Sequence, residues 1–219
     1  MPDLACVVIS LRAQPGLVPA VRSLLAQGEP IELVVVNSGG GDPASALRDA
    51  NLDVSLVELG EPKYAGAARN AGIAATTAPY VAFLAADCIA EPGWAAARLT
   101  AHRNGADAVA TTMTCAAPAT RAARASHLLL HHRRRPETPP QERLLYGLSY
   151  TRELLNEHGP FREDLRIGED TELNRRIAPL ARIETPDGVR TAHRYPATAM
   201  ALLSDQFQRG RRRGRYPGR

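Results

Sequence analysis

Lysine, paired cysteines, aromatic side chains and long apolar runs are all scarce in this 219-residue chain. No apolar run approaches the ~20 residues that a membrane helix needs, which excludes a spanning segment within the sequence. The N-terminus, Met1-Pro2-Asp3-Leu4, lacks the basic start and small-residue cleavage site of a signal peptide. The three cysteines, Cys6, Cys88 and Cys115, are scattered. That spacing excludes a cysteine-based metal knuckle and a disulfide framework, and the expectation is reduced thiols in a cytoplasmic protein. Aromatics make up 5% of the residues, too few for a surface that stacks nucleic-acid bases. A nucleic-acid partner is therefore not expected.

What is present is arginine. Lys63 is the only lysine among 27 basic residues, and the formal net charge is +4. Arginines cluster at Arg133-Arg134-Arg135 and in the tail from Arg209 to Arg219. Guanidinium forks suit phosphates and carboxylates, although both clusters are also consistent with a solvated surface. A hydrophobic content of 44% is that of an ordinary globular protein.

The first half alternates strand and helix patterns. Cys6–Leu11, Ile31–Val36, Val54–Leu59, Tyr80–Leu84 and Ala106–Thr112 read as strands, the first two as continuous β-branched runs buried on both faces. Helices are expected from Pro15 to Leu25, Ala44 to Ala50, Tyr64 to Thr76 and from Pro92 past His102. This alternation predicts an α/β fold with a doubly wound, mostly parallel sheet in a single domain, 1–204, followed by a basic tail, 205–219. In such sheets ligands bind beyond the carboxyl ends of the strands. Ser10–Arg12, Asn37–Gly41 and Ala85–Asp87 thereby fall on one rim. The second half is less regular. Ser126–Arg134, Thr151–His158, Glu169–Ile177 and Ala197–Gln208 read as helices, and Arg182–Thr185 and Val189–Ala192 as short strands.

Several segments could carry chemistry, and each also has a purely structural reading. Asp87, just past a buried strand, could hold a divalent cation or cap a turn. Glu169, Asp170 and Glu172 open a helix, where the helix dipole alone favours carboxylates by ~0.3–1 kcal/mol each; a general base could equally sit there. Arg69, in Ala68-Arg69-Asn70-Ala71-Gly72, offers a phosphate fork or lies on the surface of a tightly packed helix. His193, after a short strand, is a packed histidine unless it faces Asp87.

Taken in order, these segments resemble the family-2 glycosyltransferases of GT-A fold. The resemblance rests on Val7-Val8-Ile9, Asn37-Ser38-Gly39-Gly40, Ala68-Arg69-Asn70-Ala71-Gly72 and Ala85-Ala86-Asp87 followed by Pro92 and Trp94. It continues through Tyr150-Thr151-Arg152, Gly159-Pro160-Phe161-Arg162-Glu163, Glu169-Asp170-Thr171-Glu172-Leu173 and His193. The resemblance implies an inverting sugar transfer from a nucleotide-sugar donor to a hydroxyl acceptor, either a glycan, a lipid-linked molecule or a small molecule. It implies Asp170 as general base with Glu169 supporting it. Asp87, with His193, would hold Mn2+ or Mg2+. Leu11, Arg12, Asn37 and Ser38 would line the nucleobase pocket, and Arg69 would contact the nucleotide.

Two positions depart from the family pattern. Ala85 stands where Asp-x-Asp has its first aspartate, which puts the metal requirement in question. Asn37 replaces the usual base-reading aspartate and adds a hydrogen-bond donor. A UDP-sugar is the first expectation, with GDP and dTDP open. A nucleotidyltransferase is an alternative, but Arg12-Ala13-Gln14-Pro15-Gly16 is sparse for its phosphate loop; a non-catalytic sugar-nucleotide-binding homologue is another. The arginine tail could touch anionic lipid at the inner membrane face or close over donor phosphates.

Overall fold

The computed structural model describes the backbone of residues 1–213 and the side chains of residues 1–211; the tail expected at 205–219 thus lies partly outside the described residues. The first half runs β1 (Leu4–Leu11), α1 (Leu17–Leu25), β2 (Ile31–Ser38), α2 (Pro43–Asp49), β3 (Ser55–Leu59), α3 (Ala65–Ala74), β4 (Tyr80–Ala85), β5 (Cys88–Ala90) and α4 (Trp94–Arg103). The second half runs β6 (Ala108–Val109), β7 (Thr112–Cys115), α5 (Arg121–His131), β8 (Ser149–Thr151), α6 (Arg152–His158), α7 (Glu169–Ile177), β9 (Ile183–Glu184), β10 (Arg190–His193) and α8 (Ala199–Arg213).

β1 is the axis of the fold. Its β-branched residues lie parallel to β2 on one side and to β4 on the other, with Leu4 opposite both Ile31 and Tyr80. Successive side chains of a strand point to opposite faces, and β1 feeds two cores accordingly. Leu4, Cys6 and Val8 pack with Leu17, Val21, Trp94 and Leu99 of α1 and α4. Val7 packs on the other face with Val34, Phe83, Leu154, Phe161 and Leu173. The result is a seven-stranded mixed sheet of order β3-β2-β1-β4-β8-β6-β9 between helical layers, as the strand–helix alternation predicts.

The structure differs from the reading of the sequence in three places. The single strand expected over Ala106–Thr112 is two: β6 belongs to the large sheet and β7 to a separate three-stranded sheet of order β5-β10-β7. The chain changes sheets at Ala110-Thr111-Thr112, whose N–H groups donate in turn to Glu184 O, Tyr146 O and Val189 O. β5 and β8 were not expected at all. Each has three residues, too few to show an alternating pattern. α5 begins at Arg121, ahead of the predicted Ser126, because Thr120 caps it by accepting a hydrogen bond from Ala123 N–H.

A buried polar chain supports this half. Arg98 is fully buried, stacks 4.1 Å from the Trp94 ring centre, and donates to Val109 O, Gly147 O and Ser149 Oγ. Ser149 donates onward to His102 Nε2, and His102 Nδ1–H donates to Ala106 O. This assigns the Nδ1–H tautomer and keeps the ring neutral.

The two halves meet where α3 touches α7. Asn70 accepts from Phe161 N–H and donates to Phe161 O and to Glu163 Oε1. Arg69 pairs with Glu169 at 2.9 Å, both largely shielded from solvent, and lies over the Phe83 and Phe161 rings. Such a pair is costly to break from one side, because the remaining charge stays buried. Arg69→Ala is expected to lower unfolding free energy by about 3–5 kcal/mol, while Arg69→Met with Glu169→Leu recovers most of that loss; urea denaturation of the three proteins checks both.

Burial lowers the His102 pKa from 6.5 to about 4, the hydrogen bond to Ala106 only partly offsetting it. The unfolded chain therefore takes up this proton first. Stability is fully present above the unfolded pKa and falls as pH drops from 6.5 towards 4. Between pH 7 and pH 4.5 this one site should remove about 2–3 kcal/mol. Denaturation at the two pH values should show a smaller difference in His102→Asn than in the parent; an unchanged difference would refute the assignment.

Candidate active site

The short second sheet assembles the first part of the site. After β4 the chain turns at Ala86-Asp87 into β5, which runs antiparallel to β10 with Cys88 opposite His193. Arg194 N–H donates to Asp87 O at 3.0 Å, continuing that ladder. His193 Nε2 then stands 3.4 Å from Asp87 Oδ2. The β1–α1 loop abuts the same turn so closely that a Cβ at Gly16 would lie 2.0 Å from Ala86 O, a position only glycine can fill.

Asp87, Cys88 and His193 bring three donor atoms within 4.8 Å of one another. The Cys88 thiol is pushed well above its ordinary pKa, first by burial and then by the Asp87 charge, so it stays protonated and its Sγ donates to Asp87 Oδ1. Burial lowers the His193 pKa, against the opposing pull of Asp87. A neutral imidazole and a half-exposed carboxylate are thereby left facing one another, a nitrogen–oxygen donor pair suited to a borderline cation such as Mn2+. The other ring nitrogen, His193 Nδ1, is buried without a hydrogen-bond partner.

Behind His193 lies an aromatic wall. Tyr195 Oη is 2.9 Å from His127 Nδ1 and 2.6 Å from His131 Nδ1. A phenol has one proton to donate, so one histidine accepts it and the other donates to the same oxygen. The His131 ring lies 5.6 Å from that of His193, and the Tyr195 ring 4.5 Å from it. Burial drives the His131 pKa down to about 3.

α7 supplies the second part. Gly168, at φ +84°, starts the helix in a left-handed turn. Glu169 turns inward to Arg69, while Asp170 faces outward, accepting from the N–H of its neighbour Thr171 at 2.7 Å and from that residue's hydroxyl at 3.4 Å. Asp170 borders two cavities, and Tyr146 borders both with it. One is a pocket of about 40 Å³ against Ala85, Cys88, Thr191 and Asn174. The other is an open groove of about 1130 Å³ whose walls carry Arg134, Arg162, Arg175 and Arg176.

Of the residues singled out from the sequence, Asp87 and His193 are brought face to face, and Asp170 lines the pocket that Ala85 also lines. Arg69 lines that same pocket while pairing with Glu169, which is buried. Leu11, Arg12, Asn37 and Ser38 stand at the ends of β1 and β2 on another stretch of the rim. Leu11 and Arg12 are exposed, and Arg12 N–H donates to Ser38 O. Asn37 is buried, accepting from Ala13 N–H and donating to Gly40 O. Ser38 Oγ accepts from Lys63 N–H at 2.7 Å. Cys88, Tyr146, Asn174 and the His127–His131–Tyr195 cluster are not among the site residues expected from the sequence. Only the spacing of His127 and His131, one helical turn apart, signals that they share a face.

Comparison with known proteins accords with this architecture. Residues 5–158 match the model of the family described as glycosyl transferase family 2. The succinoglycan biosynthesis protein ExoO of Rhizobium meliloti is 37% identical over 95 residues, covering 42% of this chain and 27% of ExoO. S. aureus TarS 1–349, solved with UDP-GlcNAc, superposes with a TM-score of 0.66 at 19% identity over 93% of this chain and 61% of TarS 1–349. The mannosyltransferase PcManGT of Pyrobaculum calidifontis, solved with GDP-Man and Mn2+, gives 0.67 at 20% identity over 94% of this chain and 64% of its own. This chain thus spans about a quarter of ExoO and under two thirds of either solved protein. Because the family match over 5–158 takes in more than half of its residues, the chain belongs to glycosyl transferase family 2.

Proposed function

We propose that the chain is an inverting glycosyltransferase that moves a sugar from a nucleotide-sugar donor to an acceptor hydroxyl. The observation that carries this reading is the opposition of Asp87 and His193 at 3.4 Å, beside a cavity edged by an Asp170 free of any cationic partner among the described residues. The solved TarS and PcManGT complexes hold UDP-GlcNAc, and GDP-Man with Mn2+, which supports the same donor class here. A UDP-sugar is the first candidate, with GDP- and dTDP-sugars the alternatives.

Asp87 and His193 would hold Mn2+ or Mg2+, and the bound ion would neutralise the diphosphate of the departing nucleotide. His193 compensates in part for Ala85, where the family pattern has a second carboxylate. Asp170 takes the proton of the acceptor hydroxyl. The acceptor oxygen bonds to the anomeric carbon as the bond from that carbon to the diphosphate oxygen breaks, and attack from the opposite face inverts the configuration. Glu169 acts through position: paired with Arg69, it fixes the first turn of α7 and hence Asp170. At the nucleotide end, exposed Leu11 offers an apolar surface to the base and Arg12 a charge. Asn37 and Ser38, already hydrogen-bonded, shape the floor of that pocket. The open groove beside Asp170 is the natural place for the acceptor.

Contact with a membrane surface is part of this reading. Met200, Leu203 and Phe207 form an exposed apolar stripe on α8, near Arg209 and Arg211, and a helix of this kind suits an anionic interface. No helix among the described residues is long and apolar enough to cross a membrane.

A thermal-shift screen of nucleoside diphosphates with and without Mn2+ tests the donor site. At least one should raise the melting temperature, and more so with the metal; a flat response to all of them rejects the transferase reading. Asp170→Asn should lower transfer by at least about 10²-fold while leaving nucleotide affinity unchanged, and near-normal turnover would remove Asp170 from the mechanism. Ala85→Asp should strengthen Mn2+ dependence, read as a lower metal concentration for half-maximal donor hydrolysis.

A further inference from the structure

The groove outside Asp170 is strongly basic. Its walls carry Arg134, Arg162, Arg175 and Arg176 against the carboxylates of Asp170 and Glu172. Two of these arginines are engaged: Arg162 with Asp164, and Arg176 with Glu172 and with the carbonyls of His158 and Pro160. The other two, Arg134 and Arg175, have no carboxylate partner among the described residues. Arg134 is also held in place. Its guanidinium lies 4.5 Å from the centre of the Tyr146 ring, and its Nε is buried with no hydrogen-bond partner. A guanidinium desolvated on one face, fixed by stacking and lacking a counter-charge is a receptor for an anion with several oxygens.

The location assigns the anion to one substrate. Tyr146, beneath Arg134, also lines the small pocket containing Ala85, Cys88 and Asp170. The anion would therefore sit within one side chain's breadth of the reacting centre, on the groove side of Asp170. Asp87 and His193, which would face the donor diphosphate, are not among the residues lining the groove.

We infer that the groove is a phosphate-binding acceptor subsite: the acceptor carries a phosphate or pyrophosphate close to the hydroxyl it presents to Asp170, and Arg134 and Arg175 bind it. The inference rests on the reading of Asp170 as the acceptor-side base. It narrows the acceptor from any hydroxyl compound to a phosphorylated one, soluble or joined to a lipid through pyrophosphate. Neutral oligosaccharides would be poor acceptors.

The test is calorimetric titration of the whole chain, free and saturated with UDP and Mn2+ so that the donor phosphate positions are filled. Glucose 1-phosphate is compared with glucose, and farnesyl diphosphate with farnesol. At least one phosphorylated probe should bind about tenfold or more tightly than its neutral counterpart, and the preference should shrink between about 50 mM and 500 mM salt. The tighter of the two identifies a soluble or a lipid-borne phosphate. Arg134→Gln and Arg175→Gln should each weaken that probe by about fivefold or more and leave UDP affinity within about twofold. Arg175 is exposed on α7, so its variant keeps the test valid should Arg134→Gln unfold. No preference for phosphate with either pair, or an Arg134→Gln or Arg175→Gln variant that loses UDP instead of the probe, overturns the inference. Failure of UDP itself to bind counts against the donor site, while titration of the free protein still decides the phosphate subsite.

Discussion

Arg69 and Asn70 tie the regular half of the molecule to the irregular half, and the site depends on that tie. Both sit on α3, which is anchored to the central sheet. From there Asn70 holds the segment through Phe161 and Glu163 by main-chain and side-chain hydrogen bonds, and Arg69 reaches Glu169 at the start of α7. Asp170 is the next residue. Its position relative to the strand ends is therefore fixed through one shielded ion pair and one asparagine. An isolated ion pair in such a setting gains little net stability, because desolvation opposes the attraction. Its effect here is positional: Arg69 between the Phe83 and Phe161 rings has few other orientations, and neither does the carboxylate it holds.

The second constraint is the three-stranded sheet. Asp87 and His193 are 106 positions apart in the sequence, yet antiparallel pairing of β5 with β10 sets them side by side. The same pairing buries Cys88 beneath Asp87, where its protonated thiol donates to the carboxylate. A single aspartate in place of Asp-x-Asp is thus surrounded by groups that complete its environment: a neutral imidazole in front, a thiol below, and the His131–Tyr195 wall behind. The charge pattern then divides the rim. The carboxylate and imidazole face each other next to Cys88, which lines the small pocket, while the arginines line the groove, and Asp170 borders both cavities.

Much of this was legible in the sequence. The β-branched runs Cys6–Leu11 and Ile31–Val36 announce strands buried on both faces, and the alternation with helices places Asp87, Asn37 and Arg12 on one rim before any relative is named. The order of Ala68-Arg69-Asn70, Asp87, Glu169-Asp170 and His193 carries the resemblance to the family, whose model matches residues 5–158. The strands missed were short: β5, β8 and the division of β6 from β7 depend on which backbone groups find partners across the fold, and a three-residue segment carries no period of its own. The partners of Arg69 and Asn37 were illegible for a similar reason: in the fold Arg69 pairs with Glu169, and Asn37 accepts from Ala13 N–H and donates to Gly40 O.

By itself, then, the sequence determined the doubly wound sheet and the rim that carries Asp87, because hydrophobic periodicity and strand-end position are local properties of the chain; Asp170 was reached through the ordered resemblance to the family. Only the tertiary structure decided that His193 faces Asp87, that Glu169 points inward while Asp170 points outward, and that Arg134 stands stacked on Tyr146 in a basic groove. Those are relations between residues distant in sequence, set by sheet register and by the burial of charge against aromatic rings, and no local pattern encodes them.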